Sequence, residues 1–161
     1  MGDQAGYPAG RNIGPVTSEL LGRSYFTKTQ TRLKVLALLM DEKDFSDVVR
    51  EAQEIVELVL KGTLRKQGIE PPKLHDVGPL FNEHKAKLLP EQQEDVERIA
   101  EISKWLRKER EFAFYGDIDL IPTEEYTEKD ASRAKADAEF VVSWVFATCG
   151  TSDTSGGRAR V

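Results

Sequence analysis

This sequence predicts an all-α fold, an up-and-down bundle of four long helices and one short one. Three observations carry that prediction. Apolar residues recur at three- and four-residue spacing along most of the chain. Gly68, Pro71, Pro72 and Pro90 stand between the periodic stretches. No alternating pattern long enough for a strand competes: residues 112–120, FAFYGDIDL, alternate briefly, but Gly116 and the acids around it read as a helix end and a loop.

The first helix is expected from around Ser24 to Met40, with Leu33, Leu36, Ala37 and Met40 as its apolar stripe. The second can be capped by Asp44 or Ser46 and runs to about Gln67. Its Val48, Ala52, Ile55, Val56, Val59 and Leu60 gather on one face. Gly68 can take the left-handed conformation that ends a helix, and Pro71 and Pro72 prevent a restart. A short third helix starts near His75 or Asp76 and carries Val77, Leu80 and Phe81. Pro90 suits the first turn of a fourth, with Glu91, Glu94 and Asp95 near its positive end. That helix continues through Val96, Ile99, Ile102, Trp105 and Leu106 to Arg110 or Phe112. The fifth follows Thr127, with Asp130 three residues on as a loose capping box. Ala131, Ala134, Ala138, Val141, Val142 and Val145 form its stripe.

Residues 18–149 therefore read as one helical domain. Residues 1–17 and 150–161 are rich in glycine and small polar side chains, and both are expected to lack fixed structure. The chain of 161 residues carries a net charge of −5, which argues against a general double-stranded DNA binder but leaves room for a local basic cleft. Lys104, Arg107, Lys108 and Arg110 cluster, whereas acids dominate 91–101 and 117–130. The single cysteine, Cys149, cannot form an internal bridge and fits a reducing cytoplasm. The N-terminus has no apolar core of a secretory signal, and no apolar run reaches the ~20 residues that span a bilayer. A cytoplasmic protein that does not enter membranes is the expectation.

Two stretches resemble a known family. VREAQEIVELVLKGTLRKQGIEPPKLHDVGPL is similar to the central helix-hinge-helix of HEPN domains, the higher eukaryotes and prokaryotes nucleotide-binding domain. LRKEREFAFYGDIDLIPTEEYTEKDASRAKADAEFVV is similar to that family's basic helix end, Tyr-Gly-Asp loop and last helix. The resemblance covers roughly residues 24–147. It implies an up-and-down bundle that forms homodimers. It also implies one of two settings: a metal-independent ribonuclease of toxin–antitoxin or defence systems, or an inactive partner of a separately encoded minimal nucleotidyltransferase.

In the nuclease type, the resemblance places an Arg and, four to six positions later, a His on a late helix. Arg107 and Arg110 occupy that region here, but no His follows either within reach, and the position reached from Arg110 is Tyr115. Attack of a ribose 2′-hydroxyl on phosphate needs a group that moves a proton near neutral pH. A tyrosine, with an ordinary pKa of about 10, is poorly suited. Arginine can still clamp phosphate. The reading is thus a binding module and not an enzyme, with Lys104, Arg107, Lys108, Arg110 and Tyr115 as nucleotide or RNA phosphate contacts. The alternative is a toxin-like ribonuclease in which Arg110 and Tyr115 are catalytic, with Tyr115, or His75 brought in from another helix, in place of the usual His.

Other polar residues favour plainer roles. His75 and Asp76 adjoin at a helix start, where neighbours rarely face each other, and Asp76 suits a cap. His84 reads as a surface residue. Asp117 and Asp119 follow no Gly-Ser strand of the kind that presents magnesium-binding aspartates, and the two histidines have no convergent soft ligands around them. No metal and no cofactor are expected. Cys149 has no nearby basic activator, which argues against a catalytic thiol. Trp105 and Trp144 fall on apolar stripes and read as core or dimer-interface anchors rather than base-stacking platforms.

Overall fold

A computed structural model describes residues 18–71, 73, 77–84, 93–115 and 126–149, with the side chains at 18, 19, 21, 93, 110–115 and 149 outside that description. The helices are α1 (Ser18–Asp41), α2 (Phe45–Lys66), α3 (Gly78–Glu83), α4 (Gln93–Tyr115) and α5 (Glu128–Cys149). Among the described residues there is no strand, and the all-α bundle of four long helices and one short one is the fold. The expectations for 1–17, 150–161, Pro72, His75, Asp76, Pro90, Asp117 and Asp119 fall outside the described residues.

α1 starts at Ser18, a turn and a half before the expected Ser24, and runs straight through Gly22. The reason is packing. A Cβ on Gly22 would sit 3.3 Å from the Gly62 carbonyl oxygen of α2, and one on Gly62 would sit 3.1 Å from Tyr25 Cβ and Phe26. The two glycines let the α1 and α2 backbones meet where any side chain would hold them apart. The stripe of α1 is shifted accordingly. Leu36 is buried and Leu33 and Met40 are half-buried, but Ala37 is exposed, and the wholly buried Thr29 takes a core position instead. Its hydroxyl donates to the Tyr25 carbonyl at 2.8 Å, which satisfies it without a partner from another helix.

Both ends of the α1–α2 hairpin are closed by the same backbone device. At the end of α2, Gly68 adopts φ +75°, its N–H donates to Arg65 O at 3.0 Å, and Ile69 N–H donates to Leu64 O at 2.9 Å. At the end of α1, Lys43 adopts φ 59°, donating to Met40 O at 3.1 Å, and Asp44 N–H donates to Leu39 O at 3.0 Å. These are Schellman closures, and the first of them in the chain uses a lysine where glycine is preferred. Asp44 then caps α2, accepting from Asp47 N–H at 3.4 Å and from the Ser46 hydroxyl at 3.3 Å.

α2 is the centre of the molecule, packing against α1, α4 and α5. Every residue of its expected apolar face is buried, and Leu64 extends that face. Each valine, leucine and isoleucine of that face contributes about 1.5–3 kcal/mol by leaving water. Arg32 opposite Glu51, with Gly22 opposite Gly62, sets α1 antiparallel to α2. Phe26 meets Phe146 edge-on at 5.7 Å and joins α1 to the end of α5. The whole expected α5 stripe is buried, as are Val96, Ile99, Ile102 and Leu106 of α4. α3 is held by Val77 and Phe81, the latter edge-on to the buried Trp144 at 6.2 Å. α5 opens with the expected box: Asp130 accepts from Thr127 N–H at 2.9 Å and from its hydroxyl at 2.7 Å, and Asp130 N–H donates back to that hydroxyl at 3.3 Å.

Two outcomes follow from these caps. Lys43→Gly relieves a left-handed lysine and raises unfolding free energy by about 0.5–1 kcal/mol in chemical denaturation, while Lys43→Ala, which keeps the Cβ, gives no gain. The hydrogen bonds from the Thr127 backbone and then its hydroxyl hold the Asp130 carboxyl below its ordinary pKa. A group with a depressed folded-state value stabilises above its unfolded value and ceases to as pH falls through the folded one. The melting temperature of wild type should therefore exceed that of Asp130→Asn by a constant margin from neutral pH to about 5, a margin that closes below the ordinary carboxylate range of about 4.

Candidate functional site

α3 lies against α4 at Gly78, where a Cβ would stand 3.4 Å from Ala100 O and 3.5 Å from Ser103, in ordinary van der Waals contact. Pro79, in the first turn of α3, has no N–H to leave unpaired. Beside this contact a groove of about 550 Å³ opens, lined by Pro79 and Asn82 of α3 and by Glu97, Ala100, Glu101, Lys104 and Arg107 of α4. Lys104 is exposed and Arg107 half-buried. The α4 positions recur at three- and four-residue spacing and form one row. The row has acids in its first half and cations in its second.

The expected basic cluster is therefore only partly one site. Lys104 and Arg107 share the groove, while Lys108 is exposed outside its lining. At 3.6 residues per turn, Arg110 lies about 120° around the helix from Lys104. Tyr115 returns to the Lys104 side but about 16 Å farther along the axis. α4 continues to Tyr115, three residues past the farther expected end, so that Arg110 and Tyr115 both belong to it, and their side chains lie outside the described residues. His84 is half-buried at the C-cap of α3 and not an open surface residue.

On the other side of α4, its seam with the antiparallel α5 is bridged by long side chains. The half-buried Trp105 donates from Nε1 to Asp137 Oδ2 at 2.9 Å, and Arg133 lies over the Trp105 ring with Cζ 4.2 Å from its centroid. Farther along, Arg98 lies 3.8 Å over the Phe140 ring. At the end of the seam the buried Tyr126 hydroxyl donates to Glu109 O at 2.9 Å and pins α5's approach to α4. Of the two tryptophans, Trp144 is the core anchor and Trp105 is a seam residue with a polar partner.

Sequence reading also missed a polar row on α2. The buried Glu57 accepts from Gln53 Nε2 at 3.0 Å and pairs with Lys61, and the buried Glu51 pairs with Arg32 at 2.8 Å. The 53-57-61 spacing was visible, but an apolar stripe dominates the same helix and masks it. Glu57 and Glu51 are buried carboxylates that already have cationic partners, which is a structural use of charge. Among the described residues no three His, Cys, Asp or Glu side chains converge as metal ligands, and no helix is long and apolar enough to cross a membrane.

A family model described as the HEPN domain matches residues 23–148. No curated protein and no solved structure matches the chain.

Proposed function

The chain belongs to the HEPN-domain family, and we propose that it is a non-catalytic member that binds a nucleotide or RNA through the α3–α4 groove. The observation that carries the reading is the pairing of Lys104 and Arg107 in that groove, beside an apolar floor from Pro79 and Ala100 and the Asn82 amide. A flat guanidinium and a flexible ammonium suit a phosphate, and an amide can address a base or sugar edge. Glu97 and Glu101 at the other end of the row repel a second phosphate and favour a short or terminal one.

The proton-transfer half of a ribonuclease site is the missing part. No His follows Arg107 or Arg110 at the spacing the family's nucleases use, and Tyr115 stands at that place. A phenol titrates about three units above neutral pH, so substitution of His by Tyr removes the general base and leaves the phosphate clamp. Lys108, Arg110 and Tyr115 would then extend contact along α4 to a longer RNA. Two further parts belong to the same reading: a homodimer that doubles the basic segment across a two-fold axis, and docking to a minimal nucleotidyltransferase in the cytoplasm.

Titration of the purified protein with mononucleotides and short RNA at low salt tests the groove. Binding is expected, and the double variant Lys104→Gln/Arg107→Gln should weaken it about tenfold or more and flatten its salt dependence. Absence of binding, or affinity indifferent to both substitutions, contradicts the proposal.

A further inference from the structure

The α4–α5 seam carries two arginine–aromatic pairs open to solvent. Two arginines from opposite helices stand over two aromatic rings: Arg98 of α4 with Cζ 3.8 Å from the Phe140 centroid of α5, and Arg133 of α5 with Cζ 4.2 Å from the Trp105 centroid of α4. In each pair the ring is half-buried and the arginine is exposed, with the Arg133 side chain 65% accessible. Asp137 fixes the second pair, accepting from Trp105 Nε1 at 2.9 Å and standing 3.8 Å from Arg133 Nε.

A guanidinium laid on a ring has one plane covered and the other open to solvent. The open plane can take a nucleobase, and the N–H edge can take a phosphate. An ordinary surface arginine loses rotamer freedom when it does this, and here the underlying ring has already restricted it. Arg98 and Trp105 are seven residues apart on α4, about 10.5 Å along the axis. That is about three steps of the ~3.4 Å rise of stacked bases, so the two pairs serve different nucleotides of one strand. Glu101 lies between them and keeps the local field mixed. Contact therefore has to come from stacking more than from long-range attraction. A duplex hides its base faces, whereas a single strand offers them.

We propose that the α4–α5 seam is a stacking platform for single-stranded nucleic acid, formed by Arg98 on Phe140 and Arg133 on Trp105. The inference rests on the nucleotide- or RNA-binding reading of the family and adds a second contact surface to the groove. Lys108, exposed on α4 outside the groove lining, supplies a phosphate contact along the path that joins groove and seam.

The test uses the full chain and fluorescently labelled single strands of eight nucleotides, one bearing bases and one abasic, together with a mononucleotide. The double variant Arg98→Lys/Arg133→Lys keeps both charges and removes both planar groups. It should bind the base-bearing strand about tenfold more weakly, bind the abasic strand as wild type does, and leave mononucleotide binding unchanged. Its circular dichroism spectrum should match wild type, and a purely packing role would lower the melting temperature without this base-dependent loss. Equal affinity of wild type and the lysine variant for the base-bearing strand overturns the platform, as does wild-type failure to prefer bases over abasic sites. Mononucleotide binding that responds to Lys104→Gln/Arg107→Gln would then leave the groove standing alone. Strand binding that responds to the seam variant and not to the groove variant overturns the groove and keeps the platform. If wild type binds none of the three probes, both fail.

Discussion

Every other helix in this bundle is placed, directly or through one neighbour, by α2, and the constraint on α2 is that nearly all of its circumference is buried. α1, α4 and α5 pack on it, and it has apolar side chains facing them from Val48 to Leu64. A helix buried on so many sides must also hide its polar residues. Gln53, Glu57 and Lys61 solve this along one row and Glu51 with Arg32 along another. Gly62 supplies the remaining condition, because α1 can approach only where α2 has no side chain. If that contact opened, Phe26 would leave both Gly62 and Phe146, and α1 would lose its hold on α5 as well as on α2.

α4 is the helix through which this core reaches both surfaces proposed for ligand contact. Its buried edge, Val96, Ile99, Ile102 and Leu106, fixes its rotation about its own axis. Once that rotation is set, Lys104 and Arg107 have to emerge towards α3, and Arg98 and Trp105 towards α5. The two surfaces proposed for ligand contact are thus two flanks of one helix whose third flank is core. The buried Val77 and Phe81 hold α3 in place, and its packing beside α4 makes a groove of the first flank. Long side chains, more than close backbones, make a seam of the second.

Much of this was legible in the sequence, and the limits have physical causes. The apolar rows of α2 and α5, the Gly68 stop and the Thr127–Asp130 box each depend on neighbours a few residues away, and each was found. The early start of α1 was not, because the contact that Gly22 makes there is with Gly62 of another helix. The Lys43 closure was missed because lysine has no local preference for the left-handed region that it occupies. For the site, the basic residues were visible as a run of letters, but only the direction of the α4 core edge separates Lys104 and Arg107 from Lys108. The arginine–aromatic pairs join residues more than 25 positions apart and had no local trace at all.

The proposed function has this HEPN domain keeping phosphate contact and lacking the proton transfer that cuts RNA. Its most direct test is to incubate the purified chain with labelled RNA, in chelator and at a protein concentration that saturates binding, and to resolve the RNA on a denaturing gel. The RNA should be bound and intact after prolonged incubation. Cleavage that persists in chelator, and disappears in both Arg110→Ala and Tyr115→Phe, would contradict the proposal and identify Tyr115 as a working substitute for the missing histidine.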